Sequence, residues 1–333
     1  MSAFLLRILA FLFVLGTPAT LWAQEQTCSG KNLVTALQAS DPKALAVIRN
    51  KAAQTENGEG LLWKIERDGV APSFLFGTMH VTDPRVLELP APVSEALDHA
   101  DRLVIETTDA LSQDRMMAVL AARPDLMMFT DATTLTALLS PEDKKTVENG
   151  LQARGITLAS VNKMKPWMLA AMLASSPCEL ARQAKGAVVL DATLAAKASA
   201  ANKEVLGLET GVEQLDAMAK LPMNFHVRSL VDTLALGDGI NDVNETMIAL
   251  YGKGEIALLW PLLEHEMPEI SGEGYAQFEQ VMITARNRVM AERAQPILSK
   301  GGTFMAVGAL HLPGKEGVVQ LLRDAGFSVS VVH

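Results

Sequence analysis

The chain has 333 residues, 49% hydrophobic and 20% charged, the proportions of a chain that folds around a packed core and not of a disordered one. Its 29 basic and 38 acidic residues give a net charge of −9, and no basic stripe is available to replace the counterions of a nucleic acid, so nucleic acid is excluded as a partner. Sixteen methionines against two tyrosines read as filler for helix-packed interiors.

The first element is a targeting segment. Arg7, the apolar run "ILAFLFVLG" and the small residues of "TPATLWAQ" have the order of a secretion signal cut after Ala23. The run falls short of the roughly 20 apolar residues a spanning helix needs. Residues 1–23 are therefore expected to be removed, leaving residues 24–333 as one secreted or periplasmic domain with no stable membrane anchor. Removal takes one Arg and no acids, so 28 basic residues face 38 acidic ones and the charge falls near −10. In an oxidising compartment the two cysteines, Cys28 and Cys178, are expected to pair, and neither belongs to a CxxC redox motif.

Apolar spacing of three and four predicts a helix over residues 31–55. "GLLWKIERDG" and "PSFLFGTMH" read as two strands joined at Asp68-Gly69, "PAPVSEALDHA" as a helix and "DRLVIETT" as a buried strand. About 110–185 is helical in pattern, broken at "RPD", "LSPED" and "SSPCE". "AVVLDATLAAKASAANK" runs into another helix, "EVLGLET" is a strand, and helices follow to about 295. The chain closes with strand "GTFMAVGALH", a turn at "LPGKEG", helix "GVVQLLRDAG" and strand "FSVSVVH". The expectation is an α/β fold made of two weakly similar α/β halves around a mostly helical middle insertion.

Two strand endings recur. "SFLFGTMH" and "FMAVGALH" each close in Gly-x-x-His, through Gly77 to His80 and Gly308 to His311. "RLVIET" and "EVLGLET" each close in Glu-Thr, at Glu106 and Glu209. Ends of buried strands are where ligands gather in α/β sheets, and glycine there permits close approach of the backbone. Two imidazoles and two carboxylates suit a divalent metal such as Mn, Co or Zn, with one carboxylate left as general base. The same groups also suit a metal-free acid–base pair acting on water. There is no G-x-S-x-G and no H-E-x-x-H, and neither cysteine lies near a candidate histidine. His265, between Glu264 and Glu266, reads as part of a solvated helix face. No organic cofactor site is expected.

"LWKIERDGVAPSFLFGTMHVTDPRV", "LVIETT", "VLGLETGVEQLDAM", "ARNRVMAERAQPIL" and "FMAVGALHLPGKEGVVQLLRDAGFSV" together resemble the TraB/GumN (TraB/PrgY) family, related to the animal Tiki proteins, in order across nearly the whole mature chain. The resemblance implies a core like that of the erythromycin-esterase and ChaN-like proteins. Through the Tiki branch it implies a metal-dependent protease working with Mn or Co. It maps the motif histidines onto His80 and His311 and the strand-end acids onto Glu106 and Glu209. It also places an Arg-Asn pair on Arg286 and Asn287, where they would position substrate, and a recurring acid on Asp191. The stretch "IETTD" departs from a pattern closer to "VELD" in many relatives, displacing the second acid to Asp109.

Two readings stand at this point. One is a secreted metal-dependent hydrolase of peptide or related amide or ester bonds, with His80, His311 and Glu106 as ligands and Glu209 as further ligand or base. The other is a non-catalytic extracytoplasmic protein that binds a peptide pheromone or a haem-like ligand in the same cleft.

Overall fold

Thr303–Gly308 (β5) is buried along nearly its whole length, as its unbroken apolar run requires of a central parallel strand covered on both faces. The computed structural model that shows this describes residues 28, 30–266 and 273–333; the secretion signal expected over residues 1–23 lies outside the described residues. Besides β5 there are Leu62–Glu66 (β1), Ser73–Thr78 (β2), Arg102–Ile105 (β3), Glu204–Gly207 (β4) and Ser328–Val331 (β6). They form one six-stranded sheet in the order β4-β3-β5-β2-β1-β6. β4, β3, β5 and β2 run parallel, while β1 pairs antiparallel with both β2 and β6.

Side-chain alternation divides the core. Phe76, Leu103, Ile105, Phe304 and Ala306 pack with the helices Ala91–His99 and Leu190–Ala200 on one face. Trp63, Leu75, Val104, Met305 and Val307 pack with the helices Ala285–Leu298 and Val318–Asp324 on the other. The result is a three-layer helix–sheet–helix sandwich. A separate apolar cluster around Leu135, Val147, Leu151, Leu169 and Leu230 joins the helices of the middle segment to Met223–Ala235.

One expectation needs revision. The helix foreseen over 31–55 is two helices, Leu33–Ser40 and Pro42–Ala53. Pro42 has no N–H to continue the first, and the Asp41 carboxylate caps the second through Lys43 N and Ala44 N. The two weakly similar halves share one sheet. β5, from the end of the chain, inserts between β3 and β2 from its beginning, so each strand lies beside the strand whose ending it resembles: β2 beside β5 and β3 beside β4.

Candidate functional site

Parallel pairing aligns strand ends. Thr78 lies opposite Gly308, and Ile105 opposite both Ala306 and Gly207, so the chain leaves four neighbouring strands at one edge of the sheet. His80, Glu106, Glu209 and His311 all follow directly from that edge, the position in an α/β sheet where ligands bind. His311 ends a single turn of 3-10 helix, Ala309–His311, and is 4% exposed.

Glu106 is the centre. Its Oε1 accepts from Gly308 N–H at 2.7 Å and lies 3.7 Å from His311 Nε2 and 3.9 Å from His80 Nε2. The outer nitrogens of both rings are anchored elsewhere. His80 Nδ1 lies 2.7 Å from Asp191 Oδ2, and Thr78 Oγ1 donates to the other oxygen of that carboxylate at 2.9 Å. His311 Nδ1 donates to Asn287 Oδ1 at 2.6 Å, and Asn287 Nδ2 donates to the Glu316 carbonyl at 2.8 Å. That second bond sets the amide, so Nδ1 of His311 carries its proton and the lone pair on Nε2 points at Glu106.

Arg286 clamps both carboxylates. Its Nη2 donates to Glu106 Oε2 at 2.7 Å and to Glu209 Oε2 at 2.8 Å, and its Nε reaches Glu209. Asn287 and Arg286, expected to meet substrate, thus spend these polar groups inside the site, on His311 and on the two glutamates. Glu209 faces Arg286 and Gln214 instead of the histidine pair. Gln214, not singled out from sequence, also donates to Glu106 Oε2 at 3.1 Å. A signal for it was present in "TGVE": Thr210 and Glu213 form a capping box that starts the helix Gly211–Ala219 and brings Gln214 round to the site. Asp109 lies apart from the centre, accepting from Gly211 N–H at 2.8 Å.

Charge follows geometry. Burial alone would lower the His80 pKa, but the hydrogen bond and charge of Asp191, with Glu106, raise it to about 9. The His80 side chain is 57% exposed at the mouth of the cleft, so water screens part of that pull. Burial lowers His311 to about 4, outweighing the pull of Glu106, so this ring is neutral at neutral pH. Burial would raise Glu106, yet His311, Arg286, His80 and the Gly308 N–H together hold it down at about 2.

The two motif glycines answer to space. A Cβ on Gly308 would stand 3.1 Å from Glu106 Oε1 and 3.7 Å from His80 Nε2. A Cβ on Gly77 would meet Leu312 Cδ1 at 2.7 Å, and the Gly77 carbonyl accepts from Tyr251 Oη at 2.8 Å.

The loop that carries His80 is strapped down from the helix Pro177–Ala184. Thr82 donates its N–H and hydroxyl to Glu179, and Arg182 reaches Glu179, Thr82 and the sulfurs of the Cys28–Cys178 disulfide. His265, by contrast, is exposed at the end of the helix Leu259–Glu266.

Among the described residues no group of three or more His, Cys, Asp or Glu stands in a ready metal-holding arrangement. Donor atoms bound at about 2.1 Å around a tetrahedral ion lie roughly 3.4 Å apart, a few tenths of an ångström closer than the two Nε2–Oε1 pairs here. The donor set itself fits a divalent ion. Two Nε2 atoms face one carboxylate oxygen, and the far nitrogens are anchored on a carboxylate and an amide, as metal-ligating imidazoles usually are.

Residues 61–331 match the TraB/PrgY/gumN family. The chain is 24% identical to a metalloprotease TIKI homolog of Amphimedon queenslandica, over 81% of this chain and 61% of the relative. It is 24% identical to metalloprotease TIKI1 of Danio rerio, over 80% and 62%, and 22% identical to metalloprotease TIKI2 of Danio rerio, over 84% and 62%. It therefore spans about three fifths of the length of these relatives. No solved structure matches the chain.

Proposed function

The chain belongs to the TraB/PrgY/gumN family, and from that premise we propose that it is a secreted, periplasmic metal-dependent hydrolase of peptide bonds centred on His80, Glu106 and His311. The observation that carries the reading is the convergence of both Nε2 atoms on Glu106 Oε1, with each Nδ1 turned away to an anchor. The Cys28–Cys178 disulfide supports an oxidising compartment, and no helix among the described residues is long and apolar enough to cross a membrane.

His80, His311 and Glu106 would hold the ion, of which Mn, Co and Zn are the candidates. When bound it would supply Lewis-acid polarisation of the carbonyl under attack. The remaining work falls to side chains. Asp191 and Asn287 orient the two rings, and Arg286 fixes the second oxygen of Glu106 so that Oε1 stays aimed at them. Glu209 balances the charge of Arg286, which makes it a positioning carboxylate in this reading. Without a bound ion, His80, exposed and paired with Asp191 through Nδ1, is the group whose free Nε2 is placed to exchange a proton with substrate.

A second reading rests on that same His80–Asp191 pair: hydrolysis by His80 as general base without a metal. The haem-like alternative has less support, because both imidazoles aim at one carboxylate oxygen and not at opposite sides of a slot.

Mass spectrometry of the purified protein after dialysis against Mn, Co and Zn in turn tests the proposal. One equivalent retained by the parent and lost in His311→Ala, with peptide cleavage abolished by a chelator, is the expected result. Cleavage that persists in chelator selects the metal-free reading, and neither retention nor cleavage sinks both.

A further inference from the structure

The candidate centre forms one end of a cleft of about 330 Å³, near the lower end of the roughly 300–1,000 Å³ typical of ligand pockets. Its walls are aliphatic. Met247 and Leu250 come from the helix Gly239–Lys253, Ile256 from the turn after it, Leu259 from the start of the helix Leu259–Glu266, and Ile283 and Leu310 close the side nearest His311. Ile283 sits in a stretch of π-helix, Gln280–Thr284, inserted just before Arg286. Such inserts re-aim side chains at functional sites, and here one segment sends Ile283 to the cleft and Arg286 to the carboxylates.

The polar lining is already occupied. Thr78 donates to Asp191, Tyr251 to the Gly77 carbonyl, and Asn244 Nδ2 to the Ile240 carbonyl. Outside the centre and Arg286, no Lys, Asp or Glu lines this cleft among the described residues. Beyond Ile283 and Leu310 the surface changes character: a second groove carries Lys51, Glu264, Lys315 and Glu316.

We infer that the cleft is a specificity pocket for one large aliphatic side chain, of the Leu, Ile or Met class, next to the bond that is cut, and that the groove beyond Ile283 takes polar residues on the other side. The inference rests on the hydrolase reading for the word "cut", but not for binding. An aliphatic side chain gains from leaving water against these walls, whereas a charged one would be desolvated there with no partner outside the centre and Arg286, whose groups already pair with one another. A preference of roughly 10- to 100-fold for Leu over Lys or Asp follows from burial of that size.

The test separates binding from turnover. Acetyl-Ala-Leu-Ala-amide and acetyl-Ala-Lys-Ala-amide would be titrated into the purified protein while the methyl NMR signals of Met247, Ile283 and Met79, which also lines the cleft beside His80, are followed. The expected result is that the Leu peptide shifts these methyls at concentrations at least tenfold lower than the Lys peptide. Met247→Lys and Ile283→Lys, made separately in case one does not fold, should each weaken the Leu peptide and favour an Asp analogue. Equal affinity for Leu and Lys peptides, or shifts that avoid all three methyls, overturns the pocket. If the Leu peptide binds here and no peptide is ever cleaved, the hydrolase reading fails and the pocket stands. If peptides are cleaved without regard to an aliphatic neighbour, the reverse holds.

Discussion

Asn287 Oδ1 accepts a 2.6 Å hydrogen bond from His311 Nδ1 in a buried corner of the site, and the far end of the same amide is fixed by the Glu316 carbonyl. This chain of two bonds decides which nitrogen of His311 bears a proton, and so which one is free to donate a lone pair. Replacing Asn287 by Ala removes the first bond. Partners of this kind typically contribute 10- to 100-fold in metal affinity, so N287A should bind Mn or Zn about that much more weakly in a competition titration, with its circular dichroism unchanged. Unaltered affinity would remove the orienting role.

Arg286 is the only cation hydrogen-bonded to both Glu106 and Glu209 among the described residues, and all three side chains are at most 12% exposed. Arg286→Met would leave two buried carboxylates without their counter-charge. Breaking a buried pair in this way costs about 3–5 kcal/mol, which urea unfolding at neutral pH would read as a lower midpoint. Glu106→Gln combined with Glu209→Gln should recover part of that loss, because the repulsion goes with the charges.

Gly308 has φ near −52°, open to any residue, so space and not backbone strain demands glycine there. Gly308→Ala would bring a methyl within 3.1 Å of Glu106 Oε1. The expected outcome is a folded protein with nearly native unfolding midpoint and sharply reduced metal binding and cleavage. If binding survives, the distance between Glu106 and the histidines is not what matters.

The disulfide closes a long loop, with a sequence separation of 150 between Cys28 and Cys178. Cys28→Ser with Cys178→Ser should destabilise the protein by about 2–5 kcal/mol. Because Arg182 lies against both sulfurs and also grips Thr82, hydrogen exchange at residues 80–83 should speed up more than at the far strands β4 and β6. Uniform acceleration would show that the bridge acts on the unfolded chain alone.

His226 supplies a pH test away from the centre. It is 3% exposed, its Nε2 donates to the Met218 carbonyl at 3.0 Å, and its Nδ1 is buried with no partner among the described residues. Burial lowers its pKa, with Lys165 adding to the effect. The folded state therefore binds this proton less readily than the unfolded chain, whose histidine titrates near about 6.5. The contribution to stability is full above that pH and is lost as pH falls toward the depressed folded value. His226→Gln keeps a donor and removes the titration, so the difference in unfolding midpoint between parent and variant should shift against the parent from pH 7 to pH 5. A difference independent of pH would show that His226 is not held neutral.

Much of this could be read along the chain, and the parts that could not share a cause. The paired Gly-x-x-His and Glu-Thr endings mark strand ends because apolar runs, glycines and turns are local signals, and the TraB/PrgY/gumN family was legible in the same segments. The break at Pro42 was also written in the sequence, in Asp41 and the proline, though the helical spacing on either side concealed it.

What the sequence by itself determined, then, was an α/β chain with helices in its middle and four chemically apt residues at the ends of four strands. Only the tertiary structure decided that those strands are neighbours. Strand order depends on which edges pair across separations of 200 residues and more, as between β2 and β5, and no local pattern encodes that choice. Tertiary packing likewise decided the division of labour among the polar groups. Arg286 turns to Glu106 and Glu209, Asn287 to His311, and Asp191 to His80, because a buried charge or amide must find a partner in reach.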